Sequence, residues 1–253
     1  MKIVGVIPCR YGSKRFEGKP VRPILGKPMI QWVYERAQRA DLFDDVVIAT
    51  DDDRIRSVVE GFGAKVVMTA ARHPSGSDRV AEAAKILGLE RDDIVINIQG
   101  DQPAFDTRCL SEVISPLFED PDLGMTTLIF KIINEQEFYD SNHVKCVFDC
   151  NGYALYFSRA LIPFSGAAPV TFDVFKHLGI YAYRKHFLDY FTSLPQTRLE
   201  VLERLEQNRV LEHGSRIKVV VTTHDSLEVD TPNDIKKLES VLANPESGEK
   251  TRR

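Results

Sequence analysis

No apolar run in this 253-residue chain approaches the roughly 20 residues a membrane helix needs; stretches such as Val219 to Val221 and their neighbours are short. No membrane insertion is expected. The chain also lacks a general basic field. Its 33 Lys and Arg against 37 Asp and Glu leave a net charge of −4, which disfavours a nucleic-acid partner. The four cysteines, Cys9, Cys109, Cys146 and Cys150, form no C-x-x-C pair. The sequence opens on a strand-like run rather than a charged segment followed by an apolar one, and with the cysteine pattern this predicts a cytoplasmic location. Neither G-x-x-x-x-G-K-[ST] nor G-x-G-x-x-G occurs, so two familiar phosphate-loop signatures are excluded. With no internal repeat or low-complexity linker, one domain carrying an inserted or appended sub-element is favoured over two independent ones.

What is present begins at once. The apolar run Ile3 to Ile7 breaks at Pro8 into a loop holding Arg10, Gly12, Ser13, Arg15, Gly18 and Lys19. In an open α/β sheet, a buried strand that empties into such a loop suits phosphate: glycines let backbone N–H groups approach and the cations supply charge. The loop reads as a triphosphate cradle; a solvated basic turn is the plainer alternative.

Val- and Ile-rich strands alternate with amphipathic helical stretches through the first half, predicting an α/β fold with a mostly parallel sheet. Strands are expected at 2–7, 46–49, 65–68 and 94–98, and helices at 29–40, 52–62 and 79–87. From about Thr126 the near-alternating runs 126–130, 144–148 and 154–157 predict antiparallel strands forming an extension or flap. A strand at 179–183 and a helix at 186–194 follow. Next comes a charged helix at 198–208, packed through Leu199, Leu202 and Leu205, then a strand at 217–221. A last helix begins at Pro232, capped by Asp230 or Thr231. Residues 1–243 are read as one domain with a nucleotide-binding half to about 125 and a second half beyond it; 244–253 read as a polar tail.

Asp101 lies just past a strongly apolar strand, in Asn97-Ile98-Gln99-Gly100-Asp101-Gln102-Pro103. A carboxylate at the mouth of a sheet can ligate Mg²⁺, although an Asp there also serves as a turn residue. Asp230 follows another strand and could supply a second carboxylate, the metal offsetting charge that would otherwise repel phosphate. The loop His73 to Arg79 offers Ser75, Gly76 and Ser77 before a helix; it can read a base or ribose edge, but singly it favours helix capping. Arg159, which could pair a carboxylate, His177, Glu206 and Gln207 lie in the second half, and a lone His or an acidic helix face is more often structural.

Taken together, PCRYGSKRFEGKP, GKPMIQWVYERA, VIATDDDRI, HPSGSDR, NIQGDQP, ALYFSRALIPF, KHLGIYAYRK, LERLEQNRVLEHG and EVDTPNDI, in that order, closely resemble the 3-deoxy-manno-octulosonate (KDO) cytidylyltransferases from Lys2 to about Leu242. The resemblance implies a Rossmann-like nucleotidyltransferase fold whose antiparallel extension serves homodimerisation. It implies an Mg²⁺-dependent reaction in which CTP and an acidic eight-carbon sugar give the CMP-sugar and pyrophosphate, for lipopolysaccharide. By the same resemblance Pro8, Arg10, Gly12, Ser13, Arg15 and Lys19 face the triphosphate, with Arg10 and Lys19 catalytic. Ser75, Gly76, Ser77, Arg79 and Gln99 surround the nucleotide, and Asp101 and Asp230 hold the metal. Gln99, Arg159, His177, Tyr181, Glu206 and Gln207 surround the sugar acid.

The chain departs from the family pattern in three places. Gln102 stands where Gly-Asp-Glu-Pro is usual, removing a charge beside Asp101; Ser77-Asp78 replaces Thr-Glu or Thr-Asp; and the stretch between Pro163 and His177 is short. Gln102 and the short connection resemble the branch that activates the 8-amino analogue of KDO. Two rivals stand beside this reading. One is a cytidylyltransferase for another acidic sugar such as a sialic-type nonulosonate. The other is a non-catalytic nucleotide-binding regulator, which predicts loss of a loop cation or metal carboxylate that the chain in fact retains.

Overall fold

The computed structural model describes residues 1–12, 16–164 and 172–243. The chain forms two compact units interleaved in sequence. Unit I comprises Ile3–Gly88, Asn97–Thr107 and the chain from Ser226 on; unit II comprises Met1–Lys2, Leu89–Ile96 and Arg108–Asp225. The boundaries therefore differ from consecutive halves: the segment bearing Asp230 returns to the unit that holds the first loop.

Unit I opens with β1 (Ile3–Cys9), which runs through Pro8 instead of stopping before it. Having no N–H, Pro8 is tolerated here next to the strand's last residue, opposite Ala49 in the parallel ladder. A 3₁₀ turn (Lys19–Val21) and the small hairpin β2 (Pro23–Ile24) and β3 (Lys27–Pro28) lead into α1 (Met29–Gln38). Then follow β4 (Asp45–Thr50), α2 (Asp53–Gly61), β5 (Lys65–Met68) and α3 (Gly76–Ile86). The ladders β1–β4 and β4–β5 are parallel, as the β/α alternation requires. Their apolar side chains, including Val6, Ile7, Val47 and Ile48, are sealed from water along with Val80 and Ala84 of α3.

Unit II is mixed. Its elements are β6 (Ile94–Asn97, ending at the boundary), α4 (Arg108–Glu119), β7 (Met125–Lys131), α5 (Gln136–Tyr139), β8 (Lys145–Phe148), β9 (Ala154–Ser158) and β10 (Phe175–Arg184). After them come α6 (Lys185–Ser193), α7 (Arg198–Glu203), α8 (Gln207–Glu212) and β11 (Lys218–Thr222). The strand order is β11–β7–β10–β6, with β7 parallel to β11 and antiparallel to β10. The expected antiparallel extension is present as β8 and β9, which pair with each other while β8 pairs with β10. Its turn is set by Asp149, whose carboxylate accepts from the N–H groups of Asn151 at 2.9 Å and Tyr153 at 2.8 Å.

The helix expected at 198–208 is two short helices. Arg204 adopts a left-handed conformation (φ 56°) and ends α7. Leu202 is exposed, contrary to its expected packed position, and buried Glu200 instead meets buried Arg209 of α8. The chain closes in unit I with α9 (Pro232–Ala243), beginning at Pro232 as expected. Its first turn is tied by Asp234, whose carboxylate accepts from the N–H and hydroxyl of Thr231, each at 2.8 Å. Ile235 and Leu238 pack on a cluster with Phe16, Ile24, Met29 and Val229. Among the described residues no helix is long and apolar enough to cross a membrane.

Candidate active site

In unit I the loop after β1 is pinned at both ends. The N–H of Gly18 donates to the carbonyl of Tyr11 at 2.9 Å. Gly18 needs its missing side chain twice over: its φ is +68°, and a Cβ would lie 3.0 Å from the Tyr11 ring and hydroxyl. The Arg54 guanidinium lies 3.4 Å from the centre of that ring, while Asp52 accepts from its Nε at 2.9 Å and its Nη2 at 2.6 Å. Arg10 and Gly12 are exposed and Pro8 is half-buried; Ser13 and Arg15 lie outside the described residues.

The carboxylates come from two other segments of unit I. Beyond β6, the N–H of Ile98 donates to Val6 at 3.0 Å, so the following turn passes close over β1. At Gly100 a Cβ would stand 2.9 Å from Cys9 Sγ and 3.2 Å from the Pro8 carbonyl, so this passage needs glycine. Burial, reinforced by the Asp101 charge, pushes the Cys9 thiol well up, leaving it an inert packing group. Asp101 follows, and its carbonyl accepts from the N–H of Val229 at 2.9 Å, which brings the Ser226–Asp230 segment alongside.

Lys19 joins the parts. Its Nζ donates to Asp101 Oδ2 at 2.7 Å and to the Val229 carbonyl at 2.8 Å, and lies 3.8 Å from Asp230 Oδ1. Two carboxylates remote in sequence thus converge on one cationic nitrogen. Such a pair of hard oxygen donors fits Mg²⁺, which commonly takes one or two protein carboxylates and completes its shell with water and substrate phosphate. Among the described residues no group of three His, Cys, Asp or Glu side chains is arranged to hold an ion.

Beside the pair, the buried amide of Gln102 donates from Nε2 to Glu228 Oε1 at 2.9 Å. The carboxyl group missing at position 102 is therefore present at position 228, a site the sequence reading missed. Glu228 is exposed as a residue, yet its carboxyl group is pushed up from the ordinary range by loss of water around it and by the nearby Asp101 and Asp230 charges. Asn97, also unforeseen, is fully buried, and its amide has no protein partner among the described residues. Strand alternation puts it on the same side of the backbone as half-buried Gln99.

The Ser75 loop does what capping predicts. Ser75 is the N-cap of α3: its hydroxyl accepts from the Asp78 N–H at 3.3 Å and donates to the Asp78 carboxylate at 2.5 Å. The helix starts at Gly76, three residues before the expected Arg79, because this cap is in place. Ser77 is buried. Buried Arg79 bonds Thr69 Oγ1 at 2.5 Å and lies 3.0 Å from Asp51, so its guanidinium is anchored in unit I.

The remaining expected residues lie in unit II. Arg159 donates from Nε to the Glu203 carbonyl and from Nη1 to the Ser141 carbonyl, each at 2.8 Å, rather than to a carboxylate. Glu203 in turn accepts from the Arg159 N–H, Ser158 and Tyr156. Burial would raise the Glu203 carboxyl, but these donors outweigh it and hold the group below its ordinary value.

His177 sits between Phe157 and Tyr181, ring centres 5.2 and 5.1 Å away. Removal from water pushes it down to about 3, so it is neutral near pH 7. Thr127 spends its one hydroxyl proton on the Ile180 carbonyl at 2.8 Å; the 2.9 Å contact to His177 Nε2 must then be donated by the ring, leaving Nδ1 an acceptor. Between His177 and Tyr181 the register shifts, four residues of β10 spanning two of β7, and the two rings lie 5.1 Å apart. At the head of α8, Glu206 is half-buried and Gln207 is buried, with its Nε2 lacking a protein acceptor.

Comparison with known proteins identifies the family. A cytidylyltransferase family model matches residues 4–217. A 3-deoxy-manno-octulosonate cytidylyltransferase of Desulfatibacillum aliphaticivorans is 57% identical over 96% of this chain and 99% of its own length. An 8-amino-3,8-dideoxy-manno-octulosonate cytidylyltransferase of Shewanella baltica is 54% identical over 96% and 99%. Among solved structures, a CMP:2-keto-3-deoxy-manno-octonic acid synthetase complexed with CTP superposes with a TM-score of 0.88 at 40% identity, covering 97% of this chain and all of that one. A cytidylyltransferase from Leptospira borgpetersenii, 18% identical with a TM-score of 0.64, shares the fold. Near-complete coverage at such identity, over a unit that gathers a cationic loop and two carboxylates, places the chain in the 3-deoxy-manno-octulosonate cytidylyltransferase family.

Proposed function

We propose that this protein transfers CMP from CTP to the anomeric hydroxyl of a 3-deoxy-octulosonic acid, releasing pyrophosphate. The observation that carries the site assignment is the convergence of Asp101 and Asp230 on Lys19 beside the first loop. In this reading Arg10, Lys19 and, by resemblance, Ser13 and Arg15 hold the triphosphate, and Gly12 lets its backbone approach. Ser75, Gly76, Ser77, Arg79 and Gln99 belong to the nucleotide side. The sugar oxygen bonds to the α-phosphorus as the bond to the β-phosphate oxygen breaks, and the hydroxyl proton is lost. No covalent enzyme intermediate is needed, so the protein's share is positioning and charge stabilisation. Asp101 and Asp230 would hold Mg²⁺, which when bound favours the more nucleophilic form of the hydroxyl and screens phosphate charge.

The sugar acid is assigned to unit II residues. His177, neutral with Nδ1 as acceptor, suits a sugar hydroxyl and not a carboxylate. Gln207 offers a buried amide donor, and Arg159, Tyr181 and Glu206 complete the unit II set; Gln99, of unit I, is assigned by resemblance alone. Gln102 and the 54% identical Shewanella relative favour the 8-amino sugar, while the 57% identical relative favours KDO itself. The product would serve lipopolysaccharide synthesis in the cytoplasm. A homodimer is part of this reading, supported by exposed Leu155 on β9 and Val201 and Leu202 on α7. Pyrophosphate release with CTP and Mg²⁺ is to be measured with KDO, its 8-amino analogue, N-acetylneuraminate or no sugar. Release only with an octulosonate supports the reading and selects the sugar; release with none refutes it.

A further inference from the structure

The two segments that bear Asp101 and Asp230 are joined by more than their backbone. One tie is the Val229 N–H to the Asp101 carbonyl, at 2.9 Å. A second is the side-chain bond from Gln102 Nε2 to Glu228 Oε1, also 2.9 Å, with Gln102 only 1% exposed. The flanking geometry is firm: Gln102 N–H donates to Gln99, and the Gln102 carbonyl accepts from Phe105, each at 3.3 Å. Gln102 is the residue after Asp101, and Glu228 comes two before Asp230. A change in the distance between positions 102 and 228 must therefore move one carboxylate relative to the other.

The chemistry of this bond is directional. The ionised form of Glu228 accepts only and needs a donor, which a neutral amide supplies without adding charge. A second carboxylate at 102 would set two anions at hydrogen-bond distance beside Asp101 and Asp230. We infer that Gln102 and Glu228 are a positioning pair, whose hydrogen bond fixes the separation of Asp101 and Asp230 and thereby their joint hold on a divalent cation. The inference rests on the proposed metal role of those two aspartates. Partners that orient metal ligands typically change metal affinity by about 10–100-fold when removed.

The test is Mn²⁺ binding to the full-length protein without nucleotide, followed by calorimetry and by electron paramagnetic resonance of free Mn²⁺, with thermal midpoints recorded in parallel. Gln102→Leu leaves the charge unchanged and removes the donor; affinity is expected to fall about tenfold. Q102E adds a negative charge, which by Coulomb attraction alone would tighten Mn²⁺ binding; the positioning role predicts weaker binding instead. The reciprocal Q102E/E228Q restores the bond with donor and acceptor exchanged and is expected to recover most of the affinity lost in Q102E. Parent-like affinity in Gln102→Leu, tighter binding in Q102E, or no recovery in the reciprocal variant overturns the inference. Asp101→Asn separates the levels: if it too leaves Mn²⁺ binding intact, the metal reading fails, whereas loss there with parent-like Gln102→Leu refutes the pair alone.

Discussion

Replacing Glu200 by alanine removes the carboxylate that takes two hydrogen bonds from buried Arg209. Arg209, 2% exposed, donates from Nε and Nη2 to the two Glu200 oxygens at 2.8 and 2.5 Å, and Glu200 is itself only 6% exposed. Its guanidinium also lies 5.1 Å from the Phe191 ring centre, within reach of a cation–π attraction that is far weaker than a paired carboxylate. Breaking a buried pair from one side costs about 3–5 kcal/mol, because the remaining ion loses water and partner together. Against a total stability of about 5–15 kcal/mol, Glu200→Ala should remove a large share. Replacing both by apolar residues of similar volume, E200L with R209M, should cost less than either single change, since no ion remains to be desolvated and only the Glu200 cap on the Thr197 N–H is lost. Urea unfolding of the parent, both single variants and the double variant measures this, with the double expected well above either single. If Glu200→Ala stays within about 1 kcal/mol of the parent, the pair is not the restraint that the burial implies. The pair also bridges the α7–α8 break next to Glu206 and Gln207, so the milder Glu200→Gln is expected to raise KM for the octulosonate more than KM for CTP.

Asp101→Asn should abolish turnover while leaving the thermal midpoint near the parent's; a near-native rate would sink the proposed metal role. Gly100→Ala places a Cβ against Cys9 Sγ and the Pro8 carbonyl, at an overpacking cost of about 1–3 kcal/mol. Adding Cys9→Ala should recover only part of that loss in thermal unfolding, because the carbonyl stays; complete recovery would refute the backbone share of the clash. His177, held near 3 against an unfolded value of about 6.5, binds its proton more readily when the chain is unfolded. Its contribution to stability is therefore full above about pH 6.5 and declines as pH falls from there toward 3. The nuclear magnetic resonance signals of its ring should not titrate between pH 5 and 8, and a midpoint near 6.5 would contradict the loss of water around the ring.

Much of unit I was legible because local rules and the fold agree there. Residues 2–7, 46–49 and 65–68 read as strands and correspond to β1, β4 and β5, since buried parallel strands leave continuous apolar runs. Ser75 read as a cap and is one, because an N-cap bond spans only three residues. The 198–208 segment failed for the opposite reason. Leu199, Leu202 and Leu205 have helical spacing, but the winning interaction is a buried ion pair between Glu200 and Arg209, and no apolar periodicity announces it. Arg159 shows the same limit: its partners are backbone carbonyls of Ser141 and Glu203, which residue types alone do not reveal.

At position 102 a correct local reading leaves out a partner distant in sequence. Gln102 does remove a charge from the turn after Asp101. Charge at a site, however, is summed over space, and Val229 pairing with Asp101 carries Glu228 to the same place from far along the chain. The unit thus keeps a carboxylate beside Asp101 while gaining a neutral donor to hold it. That exchange turns a repulsive pair of acids into a hydrogen-bonded one, so positions 102 and 228 have to be varied together: changing either alone tests a broken contact, and only the reciprocal exchange tests the charge.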